Sequence, residues 1–446
     1  MKDILNRAAQ LADHAEIFFL ESTSTSVGFS SNKLKGMDAS ENRGIGIRMI
    51  KNGRLAQASS SNLTNVTEFL PAVADLCQHG DPVRFEFAPD APLSNLQLYN
   101  PAVEQDRTEE YVARGEEIIR RVLAHDPHLL THCGFGQETL AVRVLNSRGV
   151  DAGYRKSEFS AGVLVQVVEG QNIVYVHESY RGLTPCEYIE EMVESVLRDS
   201  DLARKTVACD GGQAEVIITP EALADILIAF EEGISGENAA RGISPLHGKL
   251  GEQIFDERIT IIDDPTCAGG RESQPFDDEG IPSRATPIVT RGVFNNFITD
   301  LRSSAELGCP STGNGLRMKP LLRSREYGAG VGPATTNLIF LPGDRSRQEM
   351  IKSITTGLIV NSITGILLGN LTNGDFSGNI ALGYLVRDGQ PVGRVKDTMI
   401  AGNIYDAFLH KLVGLSQERK WTGNFGGGSG SYLLPWLHLR DIDISV

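Results

Sequence analysis

Hydrophobic and polar residues alternate along several stretches near the start of the chain, and this alternation predicts β-structure. The clearest stretch, GIGIRMIKNGRLAQASSS, alternates on both sides of Asn52-Gly53. An Asn-Gly pair tolerates the positive φ angles of a type I′ turn, so the stretch predicts a β-hairpin. The preceding segment MKDILNRAAQLADHAE has helical spacing of its apolar residues, and it lacks the unbroken apolar run of a secretion signal.

A polar segment that contains several prolines, GDPVRFEFAPDAPLSNLQLYNPAVEQD, interrupts this pattern. It predicts a linker between two sub-parts, at about residues 1–85 and 105–209. The second sub-part begins with the helical pattern TEEYVARGEEIIRRVLAH. Three strand-like runs follow, TLAVRVLNSRG, SEFSAGVLVQVVEG and NIVYVHESYRG, and then a helix from about Pro185 to Arg204.

A new pattern begins near Asp210, where the strand-like run AEVII leads into the apolar helix PEALADILIAFEE. Pro220 stands in the first turn of that helix, where its missing N–H has no intrahelical partner to lose. The remaining sequence is rich in β-branched residues and glycine. Two turn signals, Thr290-Arg291-Gly292 and Arg387-Asp388-Gly389, predict antiparallel hairpins rather than parallel crossovers.

These patterns predict an α+β protein with two domains. Residues 1–209 are expected to form a mixed N-terminal α/β region with a largely antiparallel sheet, and residues 210–446 a β-rich C-terminal domain. A chain of 446 residues is long enough for two or more such cores.

Composition narrows the classes of function. The chain has 42 basic and 57 acidic residues, a net charge of −15 and no stripe of Lys and Arg, so direct nucleic-acid binding is disfavoured. Its six cysteines are widely spaced and form no C-x-x-C pair, which predicts reduced thiols in a cytoplasmic protein. The most apolar run, GLIVNSITGILLG, is too short to span a bilayer, so no membrane segment is expected.

One stretch, HDPHLLTHCG, carries several candidate metal ligands: His125, His128, His132 and Cys133. Asp126-Pro127 ends the preceding helical pattern, so we expect His128 and His132 on an extended strand, where four residues span about 13 Å. Zinc requires its nitrogen ligands about 2 Å away, and Leu129 replaces the Glu of an H-E-x-x-H motif. The stretch therefore does not predict a metal site.

Glycine-rich and acidic loops give equally weak signals. GAGVGP, GNFGGGSGS and GLRMKP lack the P-loop pattern, and Ser431 stands where a G-x-S-x-G nucleophile motif needs its second glycine. The acidic run DDEGIPS, at residues 277–283, is typical of a solvated turn. Acidic clusters bind Ca²⁺ or Mg²⁺ only when further oxygen ligands are present.

The longer run FDDEGIPSRATPIVTRGVFNNFITDLRSSAELGCPSTGNGLR resembles the TldD/PmbA family, the modulators of DNA gyrase. The family's DDEG-x-P, its hairpin and its P-T-G-N-G-x-R reappear at residues 277–282, 286–300 and 311–317, with a Ser inserted before the Thr. NLIFLPGD, GRVKDTMIAGNIYDAF and the N-terminal AEIFFLES and GIGIRMIKNGRLAQASSSNL resemble further family segments. The resemblance thus covers nearly the whole chain.

The resemblance also distinguishes the two branches of the family. The TldD branch is a zinc peptidase subunit with an H-E-x-x-x-H helix, and its TldE or PmbA partner lacks this motif. When the sequences are anchored on GENAARGIS, the two His positions fall on Leu227 and Glu232 and the Glu position falls on Ile228. Leu and Ile cannot coordinate zinc or accept a proton from water. No cysteine follows Cys309 that could supply the late Cys ligand of the TldD branch.

The resemblance implies a TldE/PmbA-like, non-catalytic subunit of a cytoplasmic heterodimeric zinc metalloprotease. A TldD-like partner would supply the zinc and process small unfolded polypeptides, and this chain would hold no cofactor of its own. Residues that could contact substrate or partner are Glu231, Asp278, Glu279, Gly280, Gly313, Asn314, Gly315 and Arg317.

Two alternatives remain open from the sequence. The chain could be a stand-alone peptide-binding or scaffold protein without a protease partner. It could also be an enzyme with an unrecognised site built from Asp277, Asp278, Glu279 and loop glycines. Whether the isolated chain forms homodimers is left open as well.

Overall fold

Two large β-sheets with helices packed against them make up the protein, as a computed structural model describes it for residues 1–169, 172–318, 324–423 and 430–446. The helices are α1 Lys2–Ala9, α2 Val66–Leu76, α3 Pro101–Glu104, α4 Thr108–His125, α5 Ile189–Arg204, α6 Pro220–Ile234, α7 Gly236–Ala240, α8 Leu301–Leu307, α9 Arg347–Lys352 and α10 Ile404–His410. Short 3₁₀ turns lie at Cys77–His79, Ile366–Leu368 and Leu371–Asn373. No helix in the described ranges is long and apolar enough to cross a membrane.

The strands divide between the two sheets in chain order. Those of the first sheet are β1 His14–Ser30, β2 Lys33–Lys51, β3 Arg54–Ser60, β4 Asp81–Pro82, β5 Leu130–Asn146, β6 Asp151–Glu169 and β7 Asn172–Gly182. The later strands are β8 Gly212–Ile218, β9 Ile261–Asp263, β10 Thr286–Thr290, β11 Val293–Phe294, β12 Gly315–Arg317, β13 Val331–Pro333, β14 Asn337–Phe340, β15 Thr356–Thr364, β16 Asp375–Arg387, β17 Gln390–Arg394, β18 Met399–Asn403, β19 Leu412–Thr422 and β20 Ser431–Ser445. Of these, β12 and β13 pair only with each other, and the others form the second sheet.

The first sheet is antiparallel, with the strand order β4-β3-β2-β1-β5-β6-β7. The predicted hairpin joins β2 to β3, and Asn52 and Gly53 have φ angles of 52° and 68°, as a type I′ turn requires. Helices α1 and α2 cover one end of the sheet, and α4 and α5 pack against the other. The predicted linker has no regular structure between residues 83 and 100, yet Phe87 and Ala88 within it are buried.

The second sheet is mixed, which corrects the expectation that its strands pair by hairpins alone. Strand β15 runs parallel to β8, and β14 runs parallel to β20. Turn signals report only strands that are adjacent in sequence, and these pairs are more than 90 residues apart. Both predicted hairpins are nevertheless confirmed: the central residues Arg291-Gly292 and Asp388-Gly389 all have positive φ angles.

Helix α6 is buried on almost every side. Leu223, Leu227 and Phe230 belong to the largest hydrophobic cluster of the chain, together with side chains from β8, β15 and β20. Because ALADIL is apolar at nearly every position, the helix packs between the second sheet and neighbouring loops rather than showing a solvent face. The apolar helix expected from the sequence is therefore part of the core along most of its length.

The face of the first sheet opposite α1 and α2 is covered by segments from the second half of the chain. Phe18 packs there with Phe276 and with Tyr327. Gly44 and Gly46 on β2 leave room for this contact, since an added Cβ would lie 2.4 Å from the Tyr327 ring and 2.3 Å from the Tyr327 carbonyl oxygen. The alternating glycines of GIGIR therefore allow the two halves to approach closely.

Candidate functional site

The positions aligned with the zinc motif lie in the second half of α6. Leu227 has no exposed surface and belongs to the hydrophobic core, and Ile228 is partly buried beside it. Glu232 is exposed, and its Oε2 accepts a hydrogen bond of 2.8 Å from the Asn238 amide on α7. Together these three side chains do not provide the set of nitrogen, sulfur or oxygen ligands that zinc requires.

These residues do not fit a zinc ion, and nothing else in the described ranges replaces them. Three or more His, Cys, Asp or Glu side chains are nowhere grouped there so as to hold a metal. His132 lies on β5, with its Nδ1 3.2 Å from the Ser30 hydroxyl. His128 lies in the turn before that strand and not on it, because its N–H donates to the Asp126 carboxylate over 2.7 Å.

The end of α6 carries a carboxylate with well-defined partners. The Tyr432 hydroxyl, on β20, donates to Glu231 Oε1 over 3.1 Å, and the Thr335 hydroxyl donates to the same oxygen. Glu231 is half-buried. It is the one predicted contact residue that keeps some access to solvent.

A second carboxylate, Asp263 at the end of β9, is fully buried near Glu231. Burial raises the pKa of Asp263 to about 7, and hydrogen bonds from Asn314 and Thr336 oppose that rise. The Asn314 amide donates over 2.7 Å, and the Thr336 N–H and hydroxyl donate over 2.7 and 2.9 Å. Asn314 therefore joins the motif loop to the second sheet.

The acidic run of residues 277–279 is buried, so its interpretation as a solvated turn is wrong. Asp277 explains the difference, because its carboxylate accepts backbone N–H groups from its own turn and from the motif loop. Its Oδ1 accepts from Glu279 and Ile281 over 3.0 and 2.9 Å, and its Oδ2 accepts from Gly315 over 2.9 Å. Gly280 completes the turn with a φ angle of 81°.

The two carboxylates that follow Asp277 bind arginines. Asp278 accepts from the Arg325 guanidinium and, over 2.7 Å, from the Arg317 N–H. Glu279 Oε1 accepts from Arg48 Nη1 over 2.8 Å, and its Oε2 accepts from the Leu301 N–H over 2.7 Å. The turn thus connects β2 of the first sheet to the start of α8.

Arg48 also donates to Glu16 on the neighbouring strand β1, through Nε at 2.8 Å and Nη2 at 2.9 Å. Arg317 Nη2 reaches the same Glu16 carboxylate over 3.2 Å. We call this group the interface cluster and define it as Glu16, Arg48, Asp277, Asp278, Glu279, Arg317 and Arg325. Its members come from both halves of the chain.

Burial controls the electrostatics of the interface cluster. It raises the pKa of Glu279 to about 7 although Arg48 opposes the rise, and it raises the pKa of Asp277 well above its usual range, with Glu279 adding to the effect. Burial and the neighbouring Arg48 lower the pKa of Arg317 to about 10. Glu16 and Glu279 hold Arg48 firmly in its charged form.

The motif glycines also serve this interior arrangement. At Gly315 an added Cβ would lie 2.4 Å from the Glu279 carboxylate, and Gly313 has a φ angle of 78° with the Pro282 carbonyl oxygen 3.0 Å from an added Cβ. The predicted contact residues other than Glu231 are all buried, and their known contacts lie within this chain: Asp278, Glu279, Gly280, Gly313, Asn314, Gly315 and Arg317. A direct contact of these residues with substrate or partner stays a prediction.

The glycine-rich loops differ in how far they are described. Val331–Pro333 of GAGVGP forms β13 and pairs with Gly315–Arg317, so it is part of a β-ribbon beside the interface cluster. Residues 424–429 of GNFGGGSGS lie outside the described ranges, as do residues 319–320 of GLRMKP.

A second charged group went unnoticed in the sequence. Lys156 on β6 lies 3.5 Å from Glu272, and Arg271 lies 3.2 Å from Glu272 and 3.5 Å from Glu158. Glu138 stands directly opposite Glu158 on the neighbouring strand. These residues, the second cluster, join β5 and β6 to the loop after β9. The sequence signal that could have indicated this cluster is the presence of charged residues at alternate positions of a strand, as in YRKSEFS.

Ion pairing dominates within the second cluster. Burial alone would raise the pKa of Glu272, but Lys156 and Arg271 lower it to about 2. Glu138 remains partly exposed, but desolvation by the neighbouring side chains and the facing Glu158 raise its pKa. Arg271 also donates to the Gly430 carbonyl oxygen over 2.8 Å, next to Tyr432, so the second cluster lies close to the Tyr432 partner of Glu231.

Comparisons with known proteins extend over both halves of the chain. The PmbA/TldA metallopeptidase C-terminal domain matches residues 211–445, and PmbA/TldA metallopeptidase domain 1 matches residues 15–78. Metalloprotease PmbA of Escherichia coli O157:H7 is 26% identical, covering 98% of this chain and 94% of that protein. A metalloprotease of Methanothermobacter thermautotrophicus is 24% identical, covering 94% and 91%. The crystal structure of TldE from Thermococcus kodakarensis superposes with a TM-score of 0.91 over the full length of both chains at 21% identity, which shows a common fold.

Proposed function

Since this chain belongs to the PmbA/TldA metallopeptidase family, we propose that it is a TldE/PmbA-like subunit without zinc chemistry of its own. Its partner would be a TldD-like chain that carries the H-E-x-x-x-H motif and the zinc. The heterodimer would process or degrade small unfolded polypeptides in the cytoplasm.

The observation that carries the proposal is the packing of Leu227 and Ile228. Leu227 is fully enclosed by apolar side chains, and Ile228 packs against the same core. A metal-binding side chain at either position would need a polar environment that is open to a zinc ion. This packing supports a structural role for α6 in the hydrophobic core, and it supports the proposal that another chain carries out peptide hydrolysis.

This chain would contribute binding surface to the shared site. Strand β7 is the last strand of the first sheet, and its side chains Ile173 and Tyr175 are 53% and 51% exposed. An extended polypeptide can add to such an edge through backbone hydrogen bonds, with side-chain contacts at alternate positions. We propose this edge as the surface that receives substrate.

Affinity purification of the tagged full chain under native conditions tests the partnership. Mass spectrometry should identify a co-purifying chain with an H-E-x-x-x-H motif, and the pair should cleave unfolded peptides in a chelator-sensitive manner. The isolated chain should show neither cleavage nor stoichiometric zinc by elemental analysis. About one zinc per chain after dialysis against a mild chelator would contradict the proposal, and peptide binding without any such partner would favour the stand-alone binding protein.

The β7 edge can be tested separately with surface variants. Ile173→Asp combined with Tyr175→Asp should weaken binding of a fluorescent unfolded peptide while the partner still co-purifies. Leu250→Asp is the matched control, because Leu250 is 55% exposed and lies in the second half of the chain. Equal peptide affinity in both variants would exclude β7 as the receiving edge.

A further inference from the structure

The interface cluster carries more buried negative than positive charge. Its carboxylates, with the neighbouring Asp300, are at most 4% exposed: Glu16, Asp277, Asp278, Glu279 and Asp300. Among the residues that the structure describes, the facing cations are Arg48, Arg317 and Arg325. Within those ranges, five carboxylates against three guanidinium groups leave an excess of two negative charges between the halves of the chain.

Such an excess is costly, because an ion moved from water into a protein interior loses its hydration and must recover that loss from its partners. A buried acid that lacks enough counter-charge keeps its proton instead. The contacts indicate where the proton is kept. Glu16 has both oxygens on Arg48 and shares Arg317, and Asp278 has both oxygens on Arg325.

Asp277 and Glu279 are less well neutralised. Within the described part of the chain, Asp277 has only backbone N–H donors, and Glu279 has a single guanidinium nitrogen, from Arg48. The two acids are two residues apart in one turn, so each ionised group repels the other. Burial raises the pKa of Glu279 to about 7. The stabilisation that a proton on this pair gives to the folded state is therefore fully present at low pH and is lost as the pH rises through about 7.

We propose that Asp277 and Glu279 share one retained proton in neutral solution, and that its release in alkaline solution weakens the contact between the first sheet and the second half of the chain. The pair thus couples the docking of the two halves to pH. Release of the proton needs no oxidant, metal or further ligand, because hydroxide or a buffer base accepts it. The pair then becomes a dianion.

Water can reach the edge of this cluster. A cavity of about 340 Å³ is lined by Arg48 and Asp300 together with residues near the surface such as His79, Asp81 and Arg302. The charged groups that face Glu279 come from every neighbouring element, namely Glu16 on β1, Arg48 on β2, Asp277 in its own turn, Asp300 before α8 and Arg317 on β12. Glu279 is thus one hydrogen bond away from this cavity, through Arg48.

Hydrogen exchange of the full chain, corrected for the intrinsic effect of pH on the amide rate, tests the proposal. The Leu301 N–H donates to Glu279 and the Gly315 N–H donates to Asp277, so peptides that contain these amides report on the pair. Corrected exchange there and on β1 and β2 should become several-fold faster between about pH 6 and pH 9. Infrared spectroscopy should show a protonated carboxyl band at the lower pH that disappears at the higher pH.

Glu279→Gln mimics the protonated acid at every pH, so it should remove the pH dependence of exchange and reduce the infrared change, leaving the part that comes from Asp263, whose pKa is also raised to about 7. Glu252→Gln, at an exposed position in the same half of the chain, is the control and should behave as the wild type. If Glu279→Gln does not fold, the hydrogen-exchange and infrared measurements on the wild type still test the proposal. Absence of the carboxyl band in the wild type, or corrected exchange that is equal at both pH values, would overturn the proposal.

Discussion

Arg317 donates a hydrogen bond of 3.2 Å to Glu16, although 301 positions separate the two residues in the sequence. Both side chains are at most 2% exposed. The final Arg of the motif P-T-G-N-G-x-R therefore reaches the first strand of the chain, and the motif glycines clear space for the carboxylates beside it. A motif of this kind stabilises the contact between the two halves.

Removal of Arg48 should be strongly destabilising. Arg48→Ala leaves Glu16 and Glu279 buried without their guanidinium partner, and breaking a buried ion pair from one side costs about 3–5 kcal/mol. Arg43→Ala on the same strand is the control, because Arg43 is exposed and its pair with Glu21 should contribute less than about 1 kcal/mol. Urea unfolding measures both. Equal unfolding midpoints for the two variants would show that the cluster does not stabilise the fold.

Gly46 should not tolerate a methyl group. An added Cβ would lie 2.3 Å from the Tyr327 carbonyl oxygen and 2.9 Å from Arg317 Nη1, so Gly46→Ala should force the halves apart and lower the free energy of unfolding by several kcal/mol. Gly36→Ala, on the same strand with nothing within 4 Å, should change it by less than about 0.5 kcal/mol. Thermal melting of the two alanine variants gives the comparison, and a stable Gly46→Ala protein would contradict the observed approach.

Glu272 should confer stability that is lost in acid. Lys156 and Arg271 lower its pKa to about 2 in the folded protein, from an ordinary value of about 4.5. A lowered pKa contributes stability above the unfolded value and loses it as the pH falls from about 4.5 to 2, a difference of about 3 kcal/mol. Glu272→Gln should therefore be much less stable than the wild type at pH 7, and the gap should narrow towards pH 3. A gap that is constant over this range would mean that the charge of Glu272 is not responsible.

Local patterns in the sequence predicted local structure well. Asn52-Gly53, Arg291-Gly292 and Asp388-Gly389 form the predicted turns, and α4 spans the predicted segment Thr108–His125. Helix α5 begins at Ile189 and not at about Pro185, an error that is common at helix ends. All six cysteines are free thiols, as their spacing predicted.

The acidic run was misjudged because its partners are distant in sequence. Nothing in DDEGIP shows that Arg48 lies 231 residues away from Glu279 in the sequence and 2.8 Å away in space. The parallel pair of β8 and β15 escaped prediction for the same reason. The division of the chain near residue 210 stays a prediction, and limited proteolysis between α5 and β8 would test it.

Reinstating the zinc motif in α6 should not create a peptidase. The changes are Leu227→His, Ile228→Glu and Glu232→His. Histidines at i and i+5 point about 140° apart on a regular helix, so a local distortion would be needed to direct both at one metal. Leu227 is completely enclosed in the apolar core, so a polar or charged replacement there loses its hydration and should cost several kcal/mol.

The zinc-loaded triple variant should therefore melt well below the wild type and leave casein intact. Glu232→His alone is the control, since Glu232 is exposed and its replacement should preserve folding. The triple variant would also lack a further protein ligand and the surrounding hydrogen bonds that orient metal-bound histidines, and loss of such bonds typically weakens metal affinity 10–100-fold. Chelator-sensitive cleavage of casein by a well-folded triple variant would show that α6 still has a pocket around it, and that the chain lies closer to the catalytic branch than the packing of Leu227 indicates.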